Sequence, residues 1–279
     1  MTPLLSIVIA NYNYGRFLED AIRSVVEQDC FDKCELIVVD GGSTDNSLKI
    51  IKKYADKISW WVSERDKGQS DAFNKGFKKA HGRFGCWLNA DDLLMPGALA
   101  MVVDFIAAHA DAQWIGASSV FADANLDVLW CSRSVRTPMF GARTVPFYSV
   151  NGPSSFFLIE NLHRVGGFDV DLRYTMDTDL WRRFSLERIK LFSIKRYVWC
   201  FRVHEKSKTS HKFMTGVSTD AFATECEKVN LRYGITRKKQ KLGNILNRVL
   251  RLVSGAYLKS YVDTKRFRGK SVLTIAKRR

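Results

Sequence analysis

Two adjacent carboxylates, Asp91 and Asp92, end the apolar run Gly85-Cys86-Trp87-Leu88-Asn89-Ala90 in a chain of 279 residues. A buried strand that runs out in acidic side chains delivers them to the carboxyl edge of a sheet, where open α/β folds bind ligands. Two carboxylates there can hold a hard divalent cation. Successive side chains of an extended segment point to opposite sides, so Asp91 and Asp92 are expected to divide two tasks rather than share one. An isolated Asp-Asp is more often a solvated turn or helix cap; other polar strand ends nearby favour the ligand role. A second acidic pair, Asp177 and Asp179, opens the helical segment that begins near Tyr174. Two residues apart on a helix means about 200° of rotation, so one carboxylate faces a cleft while the other caps the helix or favours its N-terminal dipole. A carboxylate within reach of a hydroxyl is a general base, and Asp177 is the expected one. His204 lies in a polar loop, where it is either a cation or phosphate ligand or an ordinary surface histidine; Lys206, Lys208 and Thr209 follow as lesser phosphate candidates.

The elements that must position these groups are legible upstream. Leu4 to Ala10 reads as a buried strand stopped by Asn11-Tyr12-Asn13-Tyr14-Gly15. Phe17, Leu18, Ala21, Ile22, Val25 and Val26 then follow helical spacing. A second strand, Glu35 to Asp40, ends at Gly41-Gly42-Ser43-Thr44-Asp45, with Ser43 or Thr44 expected to cap the helix containing Leu48, Ile50, Ile51 and Tyr54. A third strand, Ile58 to Ser63, precedes Glu64-Arg65-Asp66-Lys67-Gly68-Gln69 and a helix from about Ser70 to Ala80. Adjacent Trp60 and Trp61 are expected to pack in different layers. Strand alternating with helix implies a parallel sheet with right-handed crossovers, so Asn11 to Asn13, Asp40, Glu64 to Gln69 and Asp91-Asp92 share one edge. Further on, a helix from Ala98 to His109, a strand from Gln113 to Phe121, a helix to Glu187 and a strand from Tyr197 to Arg202 are expected. Residues 122–150 carry no pattern that assigns them. No G-x-G-x-x-G or P-loop signature follows any strand, which argues against a dinucleotide or NTPase site.

Composition narrows the class. Hydrophobic residues make up 46% and aromatics 12%, which describes a folded chain rather than a disordered one. The six cysteines form no CxxC pair and read as unpaired thiols. No apolar run reaches the roughly 18 to 20 residues of a membrane span, and the N-terminus lacks a basic signal-peptide region, so a cytoplasmic protein is expected. Of the net charge of +15, +14 falls from Arg232 onward, where 15 Lys and Arg face only Asp263. Such a tail should meet something acidic, whether a membrane surface, nucleic acid or an anionic glycan. Leu242, Ile245, Leu246, Val249, Val253, Ala256 and Tyr257 are expected to keep one apolar face behind Arg237-Lys238-Lys239-Gln240-Lys241, the pattern of an interfacial membrane helix; a solvated or partner-binding helix is the alternative.

Five ordered motifs resemble the inverting family 2 glycosyltransferases of GT-A fold that build bacterial polysaccharides, O-antigen among them. They are Ser6 to Asn13, Val38 to Asp45, Asp66 to Gly76, Leu88 to Asp92, and Gly166-Gly167-Phe168-Asp169 with Met176 to Trp181. The resemblance spans roughly residues 4–212. It implies a nucleoside-diphosphate sugar donor, a saccharide or lipid-linked saccharide acceptor and Mg²⁺ or Mn²⁺. Carried over, it places Tyr12 against the nucleobase, Asp40 in a hydrogen bond to the base, Asp91 on the ribose, Asp92 on the metal with His204, and Asp177 as base. Asn11, Gln69 and Asp71, within the same motifs, complete the expected donor-binding set. Asn89 replaces the first carboxylate of the usual Asp-x-Asp pattern. The expected architecture is a GT-A-type, Rossmann-like, mainly parallel α/β sheet: a nucleotide-sugar half at 1–95, an acceptor half at 96–212 and a basic helical extension at 213–279. Residues 237–279 are expected on an anionic membrane surface, giving a peripheral protein at the inner face of the cell membrane, with nucleic acid not expected as a partner. The alternatives are a nucleotidyltransferase, which would want a glycine-rich basic loop after the first strand, and a nucleic-acid-binding module using the tail.

Overall fold

The computed structural model describes residues 2–135, 150, 152–208 and 219–276; Thr209 and the expected helical onset at Phe213 lie outside them. The first half runs β1 (Leu5–Asn11), α1 (Gly15–Val26), β2 (Cys34–Asp40), α2 (Ser47–Lys53), β3 (Trp60–Ser63), α3 (Gln69–Phe77) and β4 (Phe84–Asn89). Then come β5 (Leu93–Leu94), α4 (Ala98–Ala108), β6 (Trp114–Ala122), β7 (Val128–Ser132), β8 (Ser155–Leu158), α5 (Ile159–Arg164), α6 (Met176–Leu186) and β9 (Leu191–Arg202). Helices α7 (Asp220–Arg232), α8 (Arg237–Val253), α9 (Ala256–Phe267) and α10 (Leu273–Ala276) follow.

The strands form one sheet ordered β3-β2-β1-β4-β8-β6-β9-β5, with β7 on β6. The four strands β3, β2, β1 and β4 are parallel, so their carboxyl ends lie along one edge. Alternation of side chains splits the core in two. Leu5, Ile7 and Ile9 of β1, with Leu36 and Val38 of β2, pack under α1, α2 and α4. Val8, Ile37 and Val39 pack under α3, α5 and α6. Trp61 joins the first layer and Trp60 the second. Close approach of α3 to β1 depends on Gly76, where a Cβ would stand 2.3 Å from Val8 Cγ1.

Three local expectations change. Neither Ser43 nor Thr44 caps α2, whose N-cap position is Asn46; Asp45 serves instead, accepting from Ser47 N at 2.9 Å, because Ser43 is drawn to Asp40. Strand β9 begins at Leu191 rather than Tyr197 and runs parallel along β6. Exposed Lys195 and Arg196 hide its first half from a search for apolar runs. Leu93 and Leu94 form a short strand antiparallel to β9 instead of leading directly to α4.

The C-terminal helices are docked on the sheet. Ser260 and Thr264 of α9 accept from the backbone N–H groups of Arg133 and Cys131 at 3.0 and 2.9 Å. Phe267 and Val272 enter the first core layer, and Val272 N bonds Leu126 O at 2.9 Å. The helical pattern breaks after Val253 because Gly255 adopts a left-handed φ of 69°, turning Ala256 inward. All six cysteines are free thiols.

Candidate active site

The loop after β1 and the loop after β2 are knitted together. Asn13, at a left-handed φ of 56°, donates from its backbone to Ser43 Oγ at 2.8 Å, and its Oδ1 accepts from Thr44 N at 2.8 Å. Asp40 is fully buried at the centre. Its carboxylate accepts from Asn11 Nδ2 at 2.6 Å, Ser63 Oγ at 2.6 Å and Ser43 N at 2.9 Å. Burial pushes this carboxyl up, but the Ser43, Ser63 and Asn11 bonds outweigh it and hold the group below the usual carboxylate range. Asp40, expected on the base, and Asn11, expected in the donor-binding set, are held in this network and shape the loops. What they present is Tyr12, 59% exposed. Gly41 lies beneath it: a Cβ there would stand 2.7 Å from Asp66 Oδ2 and 3.3 Å from Tyr12 Cδ2. Asp66, to which sequence reasoning gave no role, thus borders the same recess, and burial raises its pKa. Asp71 accepts from Lys67 N at 3.0 Å and fixes the Asp66–Gly68 turn.

Strand β4 stops at Asn89, and the two carboxylates follow in a turn rather than an extended segment, closed by Asp92 N donating to Asn89 O at 3.1 Å; there they diverge. Asp92 is 1% exposed. Its Oδ2 accepts from Asn89 Nδ2 at 2.7 Å and its Oδ1 from Arg202 N at 3.0 Å. Burial and the Asp91 charge push its carboxyl well above the usual range. Enclosed in this way, Asp92 is held by the fold as an acceptor for both groups. Asp91, expected on the ribose, instead meets His204: Nε2 lies 3.1 Å from Asp91 Oδ2. The backbone bond from Arg202 to Asp92 and the Arg202–Asp20 ion pair at 2.9 Å fix the end of β9 two residues before His204. The imidazole rests on Phe17, centroids 4.6 Å apart, and edge-on to Tyr14 at 5.9 Å. Tyr14, its pKa pushed up to about 12 by burial and then by Asp91 and Asp92, stays protonated and donates to Lys206 O at 2.9 Å. A cavity of about 480 Å³ bordered by Asn13, Arg16, Asp123 and His204 opens beside the pair.

Among the described residues no three His, Cys, Asp or Glu side chains gather around one point. A cation at Asp91 and His204 would complete its shell with diphosphate oxygens and water, the arrangement Mg²⁺ favours and one imidazole suits in Mn²⁺. The donor set fits such an ion. Gln69 donates to Asn89 Oδ1 at 2.6 Å and accepts from Lys208 Nζ at 3.0 Å, extending a polar rim from Asp92 to the loop after β9.

Asp179 is fully buried: Arg183 Nε, Arg232 Nη1 and Tyr233 Oη donate to it at 2.8, 2.9 and 2.8 Å. Asp177, half-buried in the first turn of α6, faces Gly152, where a Cβ would lie 3.5 Å from Asp177 Oδ2 and 3.3 Å from Trp87 of β4. The start of α6 is anchored at the carboxyl edge by Ser70 of α3, which donates to Leu172 O at 3.2 Å, and by Asn74, which exchanges two 2.8 Å bonds with the Phe168 backbone. Trp87, Trp181 and Trp114 stack beneath it at 5.4 and 4.8 Å. Sequence reasoning also missed Glu225 of α7. Its carboxylate accepts from the backbone N–H groups of Arg173, Tyr174 and Thr175 at 2.7 to 2.8 Å, capping the turn into α6 from some fifty residues away.

This sheet edge carries an exposed ring, a carboxylate–imidazole pair and a carboxylate on a neighbouring helix, and the sequence shows the family to which they belong. Residues 6–157 match the model of Glycosyl transferase family 2. The chain belongs to that family. Over 104 residues it is 41% identical to an uncharacterized glycosyltransferase of Nostoc sp., covering 36% of this chain and 32% of that protein. It is 26% identical over 215 residues to the minor teichoic acid biosynthesis protein GgaB of Bacillus subtilis, covering 74% of this chain and 23% of that one. The chain thus spans a third or less of either relative. Among solved structures, S. aureus TarS 1-349 in complex with UDP-GlcNAc superposes with a TM-score of 0.62 at 17% identity, over 81% of this chain and 65% of that one. The mannosyltransferase PcManGT from Pyrobaculum calidifontis, in complex with GDP-Man and Mn²⁺, gives 0.54 at 16% identity over 99% and 87%. The fold is of GT-A type.

Proposed function

We propose that the chain moves a sugar from a nucleoside-diphosphate sugar to a hydroxyl of a saccharide acceptor, with inversion, as a step in bacterial surface-polysaccharide synthesis. The observation that supports this reading most is the Asp91–His204 pair just past the end of β4, with exposed Tyr12 at the end of parallel β1 and Asp177 in the first turn of α6, which α3 holds through Ser70. Tyr12 stacks on the base, and Gly41 and Asp66 frame it. Asn11, Asp40 and Asp71 act on the donor at one remove, by holding those loops. Asp91 and His204 would hold Mg²⁺ or Mn²⁺, which would supply neutralisation of the charge on the leaving diphosphate. The Pyrobaculum neighbour, with GDP-Man and Mn²⁺ together, supports this. Asp177 accepts the proton of the acceptor hydroxyl as its oxygen bonds the anomeric carbon, opposite the breaking bond to the diphosphate. No second carboxylate is needed, which fits single displacement. A polysaccharide acceptor is supported by the teichoic acid role in the Bacillus relative's name.

The test is donor turnover with a panel of UDP-, GDP-, dTDP- and CDP-sugars. Asp177→Asn is expected to bind the productive donor like the unaltered chain while losing about a thousandfold in transfer rate. Full transfer by that variant would overturn the assignment.

A further inference from the structure

We propose that α8 and α9 form a docking surface for an anionic lipid bilayer, lying in its interface through two outward apolar faces. Helix α8 is docked with its polar side inward. Only Gly243 is buried, and Arg251 Nη1 donates to Arg133 O at 2.9 Å. Leu242, Ile245, Leu246, Val249, Leu252 and Val253, which share the opposite face at helical spacing, all point to solvent, the last two 70% and 81% exposed. This inverts the usual arrangement, in which the apolar stripe faces the core. Helix α9 repeats it: Ala256, Ser260 and Phe267 are buried against the body, while Leu258, Tyr261 and Val262 are exposed.

The occupant is selected by charge. Lys238, Lys241 and Arg248 of α8 and Lys259, Lys265 and Arg266 of α9 flank the apolar faces, within the segment that holds +14 of the net charge. A protein core would want the apolar face without that rim. A nucleic acid would want the rim without the apolar face. A negatively charged leaflet uses both, its headgroups meeting the cations and its acyl boundary taking the side chains. No helix among the described residues is long and apolar enough to cross a membrane, so the mode is surface attachment. Between the helices and the body a cavity of about 620 Å³, edged by Lys195, Leu258, Lys259 and Val262, lies within this surface. The proposal stands apart from the donor-site reading, since neither helix supplies a residue to it.

The test is co-sedimentation of the full chain with phosphatidylcholine vesicles, with and without phosphatidylglycerol, at low and high salt. Binding is expected only to the anionic vesicles, weakening with salt. The triple variant Leu252→Gln, Val253→Gln, Leu258→Gln alters exposed positions only and is expected to retain its circular dichroism and melting temperature while losing about tenfold in vesicle affinity. Lack of binding by the unaltered chain would overturn the proposal. So would unchanged binding by the variant, which would make attachment purely electrostatic. Self-association abolished by the same variant, without vesicle binding, would assign the face to a second copy of the chain.

Discussion

At the scale of single residues, neighbouring side chains of one chemical type are separated by what encloses them. Asp91 and Asp92 are adjacent carboxylates, and Asp177 and Asp179 are nearly so, yet in each pair one is consumed by the fold. Helix rotation made the division of half-buried Asp177 from buried Asp179 legible, whereas Asp91 and Asp92 are divided by a turn past β4, where strand pleating does not apply. The sequence could not tell which of Asp91 and Asp92 turns inward, because that depends on the β9 backbone at Arg202, 110 residues away. Asp92→Ala would leave Arg202 N and the Asn89 amide without their acceptor. A cost of about 2 kcal/mol is expected, read as a lowered melting temperature. Asp91→Ala removes a partly exposed group and is expected to melt within a degree or two of the unaltered chain. At Gly41, a methyl directed at Asp66 and Tyr12 is expected to weaken nucleotide binding about tenfold without unfolding the chain, measured by titration of Gly41→Ala.

At the scale of elements, α6 is positioned from both directions. Ser70 and Asn74 of α3 hold the turns before it, and α7 reaches across to cap it with Glu225 and to neutralise Asp179 with Arg232. The α3 contribution was present in the sequence as two motifs, Asp66 to Gly76 and Gly166 to Asp169, without a sign that they touch. Glu225 gave no signal, because nothing in the pattern of α7 sets it apart from Asp220 and Glu227 on the same helix. Burial raises its pKa, but the bonds from Arg173, Tyr174 and Thr175 prevail and hold it below the ordinary value of 4.5. A carboxyl whose folded pKa is depressed contributes stability above its unfolded pKa and loses it as pH falls through the folded one. Thermal melts between neutral pH and pH 3 are expected to show a loss of stability setting in below about 4.5. Glu225→Gln should melt lower at neutral pH and show a shallower acid dependence. Because it reorients Asp177 rather than removing it, transfer should fall while nucleotide affinity holds.

At the scale of the whole molecule, the parallel half was the most legible part: repeated strand and helix periods fix its order, and each strand end carries its own polar cluster. Residues past Leu94 were harder, because β7, β8 and β9 are joined antiparallel or over long separations that no local period records. The basic extension was read as a tail, yet α9 closes the sheet beside β7. Deleting residues 237–279 would therefore uncover β6 and β7, and the truncated chain is expected to melt well below the full one and to exchange β6 and β7 amides rapidly, as hydrogen exchange would show. The carboxyl edge of the sheet is expected to bind a nucleoside diphosphate through a cation held by Asp91 and His204. Calorimetric titration of UDP, GDP, dTDP and CDP with and without Mn²⁺, on the unaltered chain, Asp91→Ala and His204→Ala, measures this. One diphosphate should bind in a Mn²⁺-dependent manner, with that dependence lost in both folded variants. Mn²⁺-dependent binding that survives in both, or binding of none of the four by the folded chain, would contradict the account.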